Sequence, residues 1–222
     1  MEKYLTLDGI ENSPNGQPSF YEYRNADPNS PEYGQIDKPT FLWAGGWFIN
    51  ALYQVAGIRE DPWNMQLTGQ LPQNFTNLEY DLHLYEKKCR IKWTGNGLYV
   101  RRIVQDGKPV HSMLLTVPAR TIIIERGKPI GPYLQISTCP VHSVRYSESE
   151  SKLRVHFKYI QPSPVTLKMV SPLPCRHLLT SEQDPLNFQT RRVDEDVYTI
   201  IYSGKLNKDC RYVDFQLNAK PE

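Results

Sequence analysis

The sequence predicts a mainly β protein, with one apolar helix near its start and two antiparallel β-sandwich domains behind it. Three observations carry that reading. An uncharged stretch from Phe41 to Ile58 has helical rather than alternating spacing. From about Gln66 the apolar period changes to two, punctuated by Asn96-Gly97 and Asp106-Gly107. After Gly131-Pro132 a second run of short alternating segments extends to the end of the chain. Eighteen prolines and fourteen tyrosines in 222 residues agree with a strand-and-turn protein.

The elements follow in order. Residues 1–60 form a first region, opened by turn signals at Asn12-Ser13-Pro14-Asn15-Gly16 and Asp27-Pro28-Asn29-Ser30-Pro31. Thr40 then caps a helix from Phe41 to Ala56, and Gly57 ends it. Its apolar residues Trp43, Trp47, Ile49, Leu52, Tyr53 and Ala56 are spread over more than one face, which predicts burial on most sides. Residues 61–132 form the first sandwich, with strands at Leu78–Tyr85, Cys89–Trp93, Leu98–Val104, Met113–Val117 and Thr121–Glu125. Residues 133–222 form the second, of immunoglobulin-like type. Its strands lie at Val141–Tyr146, Leu153–Ile160, Val165–Val170, Tyr198–Ser203 and Tyr212–Leu217.

Charge and composition exclude several classes of function. The 26 basic and 24 acidic side chains leave a net charge of +2, too little to track a phosphate backbone. Arg101-Arg102 and Glu86-Lys87-Lys88 read as solvated strand faces. Cys89, Cys139, Cys175 and Cys210 form no C-x-x-C pair, and the five histidines show no ligand spacing, so neither a metal nor another cofactor is expected. The even number of cysteines permits disulfides, and buried free thiols are the plainer reading. Gly45-Gly46, Asn50 and Gln54 make the 41–58 stretch a poor membrane span. Met1-Glu2-Lys3-Tyr4 does not open a signal peptide, which points to the cytoplasm for the chain as it stands.

The chemistry concentrates near the start. Glu22 sits between Tyr21 and Tyr23, and the aromatic helix follows after a Pro-rich loop. A carboxylate for proton transfer beside aromatic faces is the pairing that carbohydrate chemistry uses. Trp43 and Trp47, four residues apart, share one helix face, an arrangement that serves core packing as readily as a sugar platform. Arg24 is placed to pair with Glu22 and hold the loop.

The order of parts over residues 18–130 resembles the C-terminal end of the six-hairpin, or (α/α)6-barrel, glycoside hydrolases. It runs from Phe20-Tyr21-Glu22-Tyr23 through Phe41-Leu42-Trp43-Ala44 and Gly57-Ile58-Arg59 to alternating strands with Asp106-Gly107-Lys108-Pro109-Val110. Glucoamylases, α-glucosidase I-like and trehalase-like enzymes end in this way, as do related disaccharide phosphorylases. The resemblance implies that the helix is a remnant of such a barrel and that Glu22 is the general base of an inverting mechanism. It also implies that Tyr21, Tyr23, Trp43 and Trp47 line a pocket for an oligosaccharide or polysaccharide. A hydrolase is preferred to a phosphorylase, which uses phosphate where Glu22 would act.

One departure is large. The family's general acid lies in the middle of the barrel, and twelve barrel helices need several hundred residues. The resemblance therefore implies the tail of a larger enzyme, a fragment or separately encoded piece, inactive alone. Its helix would be covered by the missing barrel or by a partner subunit. The competing reading is a β-sandwich module that binds carbohydrate or a protein without catalysis.

Overall fold

The computed structural model describes residues 23–25, 27–33, 36–37, 42–60, 65–68, 76–84, 87–115, 118–160 and 164–218. For Tyr23, Arg24, Ile36, Asp37, residues 42–45, Trp47, Phe48, Glu60 and Leu84 it describes the backbone alone. The protein is mainly β, with one described helix and several antiparallel sheets. It divides into two compact units, Met1–Val55 and Ala56–Glu222.

In the first unit, β1 (Tyr23–Arg24) pairs antiparallel with β2 (Ile36–Asp37), Tyr23 opposite Asp37. The turn between them is held by short polar contacts, among them Asn25 Nδ2 donating to Ser30 Oγ at 3.1 Å. Helix α1 (Leu42–Val55) matches the predicted helix to within a residue at each end. It contains no charged residue. Among the described side chains of the helix the expected burial is not found: Ile49, Leu52 and Val55 are 54, 51 and 43% exposed. Their spacing of three places them along one face, so within this unit the helix carries an uncovered apolar stripe. Among the described residues, no helix is long and apolar enough to cross a membrane.

The second unit opens with Gly57 at φ +72 and the short ladder β3 (Ile58–Glu60) with β4 (Met65–Leu67). A five-stranded sheet follows. It is built from β5 (Asn77–Leu84), β6 (Lys87–Gly95), β7 (Val100–Gln105), β8 (Lys108–Val110) and β9 (Thr121–Arg126), in the order β5-β6-β9-β7-β8. Alternation decides its faces. Cys89, Ile91 and Trp93 of β6 and Ile122 and Ile124 of β9 are buried, while Arg90 and Ile123 point outward.

This sheet corrects the expectation of purely antiparallel pairing. β9 slots between β6 and β7 and runs parallel to β6. Asn96-Gly97 therefore reverses the chain without making a hairpin, because the two strands it joins are not neighbours. Gly95 (φ +75) makes the crossing possible, since a Cβ there would lie 2.6 Å from the Arg126 carbonyl oxygen. Asp106-Gly107 does form the expected hairpin, with both φ values positive (47 and 79) as a type I′ turn requires. The Asp106 carboxylate accepts from the Arg120 and Thr121 amides at 3.0 and 2.8 Å. The Thr121 amide leads the contacts that hold this carboxyl below its ordinary range.

The described residues of 133–217 hold eight strands, where the sequence pattern marked five. They are β10 (Tyr133–Ser137), β11 (Val141–Ser147), β12 (Lys152–Phe157), β13 (Val165–Ser171), β14 (Cys175–Thr180), β15 (Gln189–Asp194), β16 (Val197–Gly204) and β17 (Tyr212–Leu217). They form two four-stranded sheets, β10-β13-β16-β15 and β11-β12-β17-β14. Residues of both meet in one core that includes Leu134, Val155, Leu167, Ile200 and Phe215. In the constant-type immunoglobulin order the first two strands share a sheet; here β10 and β11 lie in different ones. All four cysteine thiols are buried, and none is joined in a disulfide.

The predicted strand Met113–Val117 takes another form. Residues 111–115 bridge two ladders, Gln66↔Leu114 on one side and Ser112↔Leu134 on the other.

A methyl group added at two glycines should separate crowding from helix propensity. Gly95→Ala meets backbone at 2.6 Å and a positive φ, so it should lower stability by more than about 1 kcal/mol in a denaturant titration. Gly46→Ala in α1 meets nothing within 4 Å, and far-UV dichroism should show the helix strengthened by roughly 0.5–1 kcal/mol.

Candidate functional site

The residues singled out from the sequence lie mostly beyond description. Tyr21 and Glu22 are outside the described residues, Tyr23 opens β1, and Trp43 and Trp47 sit one turn apart on α1 with only their backbones described.

The second unit supplies a site that the sequence did not announce. A cleft of roughly 620 Å³ opens beside the β7–β8 hairpin. Arg101, Arg102 and Pro109 form one wall, Tyr146 and Glu148 another, and His111 with the connector 130–132 lies between. A volume of this size is typical of small-molecule sites.

The two guanidiniums and the imidazole of the cleft are each fixed by something local. Successive strand residues normally face opposite ways. The register of β7 against β9 shifts between Val100 and Arg102, a β-bulge that brings Arg101 and Arg102 to one carboxylate. Arg102 Nε lies 2.6 Å from Glu125 Oε2, and Arg101 Nε lies 3.2 Å from Oε1. One acid thus orients two guanidiniums through their Nε atoms.

His111 is held from the other side. Its Nδ1 is 2.9 Å from the Pro132 carbonyl oxygen, which only accepts, so Nδ1 carries the proton. In the neutral ring Nε2 is left as an acceptor. The Tyr146 ring lies against the imidazole, centroids 5.2 Å apart and tilted by 53°. Burial, and secondarily the Glu148 charge, raises the Tyr146 hydroxyl above its ordinary value. Below them Tyr133 is 4% exposed, and its hydroxyl oxygen accepts from the Val100 amide at 3.2 Å.

This arrangement can bind and orient, but it lacks the parts for glycoside hydrolysis. Glu148 is the one carboxylate among the lining residues, and that reaction needs a pair. Among the described residues no cluster of His, Cys, Asp or Glu is set to hold a metal ion. Sequence reading missed the cleft for a clear reason: Arg101-Arg102 on an alternating strand implies one residue per face, and the bulge is invisible without its partner strand. Gly131-Pro132 signalled a break, and nothing local tied it to His111.

Tyrosine burial sets a pH limit on the unit. Burial pushes the Tyr133 hydroxyl up to about 12. It does the same to Tyr80, also to about 12, although Trp93 Nε1 donates to that oxygen. In the unfolded chain both titrate near 10. The folded state therefore holds these protons longer, so their stabilisation is intact below pH about 10 and is lost as pH rises towards 12. Denaturant midpoints measured across that window should fall, and less steeply in Tyr133→Phe. At neutral pH the same variant should lose about 1–3 kcal/mol, because the buried Val100 amide loses its acceptor.

No protein-family model matches the chain, and no curated protein or solved structure resembles it significantly, so the functional argument rests on the residues themselves.

Proposed function

We propose that the chain is the C-terminal portion of a glycoside hydrolase that cleaves O-glycosidic bonds with inversion. In this reading α1 is the last helix of an (α/α)6 barrel, and residues 61–132 and 133–222 are β-sandwich domains behind it. The observation that carries the proposal is the helix. An uncharged α1 leaves Ile49, Leu52 and Val55 uncovered within its own unit and leads at once into β structure. Fully burying such side chains is worth about 1.5–3 kcal/mol each, so the stripe calls for packing partners. Further barrel helices would supply them. The shared core of the two four-stranded sheets supports the sandwich reading of the last domain.

Glu22 is the general base. It takes a proton from the water that attacks the anomeric carbon, while an acid about 6.5–9.5 Å away protonates the leaving oxygen. Tyr21, Tyr23, Trp43 and Trp47 supply faces for the sugar rings. The acid belongs to the rest of the barrel, and the chain alone does not turn over substrate.

A second reading has its own support. The cleft at His111 favours a non-catalytic module that binds carbohydrate.

In the enzyme that joins this chain to its barrel, Glu22→Gln should lower turnover by roughly 10²–10⁴-fold with substrate affinity retained. Proton NMR of the first-formed product should show inversion at the anomeric carbon. Unchanged turnover in that variant would remove Glu22 from the mechanism, and a retained anomer would rule out inversion.

A further inference from the structure

We infer that the cleft between the β7–β8 hairpin and β11 is a binding site for a neutral saccharide of one or two rings. It shares its substrate class with the proposed hydrolase but draws on the cleft alone.

Charge selects against anions. The two guanidiniums of Arg101 and Arg102 are matched by two carboxylates, Glu125 behind them and Glu148 across the cleft. A phosphate or carboxylate ligand would have to displace Glu125 or approach Glu148, and either costs attraction. A nucleic acid would find no cation free of an acid partner here. Strand addition by a peptide is equally disfavoured. β8, the sheet edge at this point, is three residues long, and Pro109 in its middle has no amide proton to donate.

What remains suits hydroxyl groups. Each guanidinium spends Nε on Glu125, and its Nη donors are held in a fixed plane. His111 Nε2 and the Glu148 carboxylate accept. A sugar hydroxyl both donates and accepts, so it can satisfy both kinds of group at once. The Tyr146 ring, with Pro109 and Pro132 nearby, offers apolar surface for the C–H faces of a pyranose. The guanidiniums, the imidazole and the Tyr146 ring are already oriented by Glu125, the Pro132 carbonyl and the ring stack, so they need little ordering on binding.

Isothermal titration of the 222-residue chain with mono- and disaccharides of glucose, galactose, mannose and xylose tests this, with glucuronate and inorganic phosphate as charged probes. At least one neutral sugar should saturate the protein, with affinity constant within about twofold from roughly 50 to 500 mM salt. Arg102→Ala removes a side chain that is 60% exposed and leaves the core intact. It and Tyr146→Leu should each weaken binding by about tenfold or more, while Arg90→Ala, on the outer face of the five-stranded sheet and 57% exposed, should bind as the unaltered chain does. The inference is overturned if no neutral sugar saturates up to roughly 50 mM. It is also overturned if phosphate or glucuronate binds in preference with strong salt dependence, or if binding survives Arg102→Ala. Because the hydrolase test reads turnover and this one reads binding at other residues, either can fail while the other stands.

Discussion

The second unit depends on a five-residue segment, His111 to Leu115, that is hydrogen-bonded along both edges. On one side the Leu67 amide donates to the Met113 carbonyl and the Leu115 amide to the Met65 carbonyl, both at 2.8 Å. On the other, the Met113 amide donates to the Leu134 carbonyl and the Leu134 amide to the His111 carbonyl, both at 2.9 Å. A strand with polar groups used on both edges and buried in a core leaves its neighbours little freedom of register. Met113, Leu114 and Leu115 are all buried, at 0, 4 and 5% exposure. Consecutive strand residues face opposite ways, so three buried in a row means that both faces are covered. Leu114 joins the core of the four-stranded sheets. The segment is the physical joint between β4 and β10. Gln66, bridged to Leu114 and 2% exposed, has no hydrogen-bond partner for its side-chain oxygen among the described residues, the kind of cost a crowded joint imposes.

The cleft follows from the same constraint. Residue 111 is where the chain leaves the edge strand β8 and enters the joint, so the backbone there cannot swing. Pro132 lies one residue before β10, whose Leu134 is bonded to the joint; its carbonyl is thereby placed to hold the imidazole. The surrounding ion pairs act differently. Asp81 with Lys88 and Arg90, and Glu79 with Arg90 and Lys92, lace the outer face of the five-stranded sheet. Exposed pairs of this kind contribute about 0–1 kcal/mol each, so their effect is solubility and side-chain direction. The Arg154–Asp214 pair is another matter. Both of its contacts are 2.7 Å, Asp214 is 4% exposed, and the guanidinium carbon of Arg154 lies 3.9 Å from the Tyr212 ring centroid. There the pair fixes β12 against β17 on the face turned away from the core.

How much of this was legible in the sequence depended on whether the signal was local. The helix was readable because Gly57 and a long uncharged stretch bound it. Leu153, Val155 and Phe157 alternate cleanly because one face of β12 is core, and the same logic revealed β6, β9, β13, β16 and β17. β15 was missed because all six of its residues are exposed, which leaves no apolar period to detect. β14 follows Pro172 and Pro174 and pairs through a shifted register at Cys175. The parallel β6–β9 pairing and the bulge at Arg101 were beyond reach, since both are relations between distant segments. The proposed catalytic group was read from pattern alone, with Glu22 and Tyr21 outside the described residues; the cleft was read from geometry alone.

That division has a consequence for function. The catalytic proposal needs chemistry that one carboxylate cannot perform, because inversion couples a base to an acid across the sugar. A binding site has no such requirement. It needs only fixed donors, fixed acceptors and an apolar surface, and residues 101–148 hold all three within a single compact unit. Hydrolases that act on chains of sugar gain from a second contact with substrate, since a tethered ligand returns to the catalytic pocket at a raised effective concentration. If α1 closes a barrel, a saccharide held at His111 would serve that end. If it does not, the saccharide site proposed at the cleft stands without the barrel. The uncovered stripe of α1 and the charge-balanced cleft are therefore separate observations, the first bearing on the proposed barrel and the second on the proposed saccharide site.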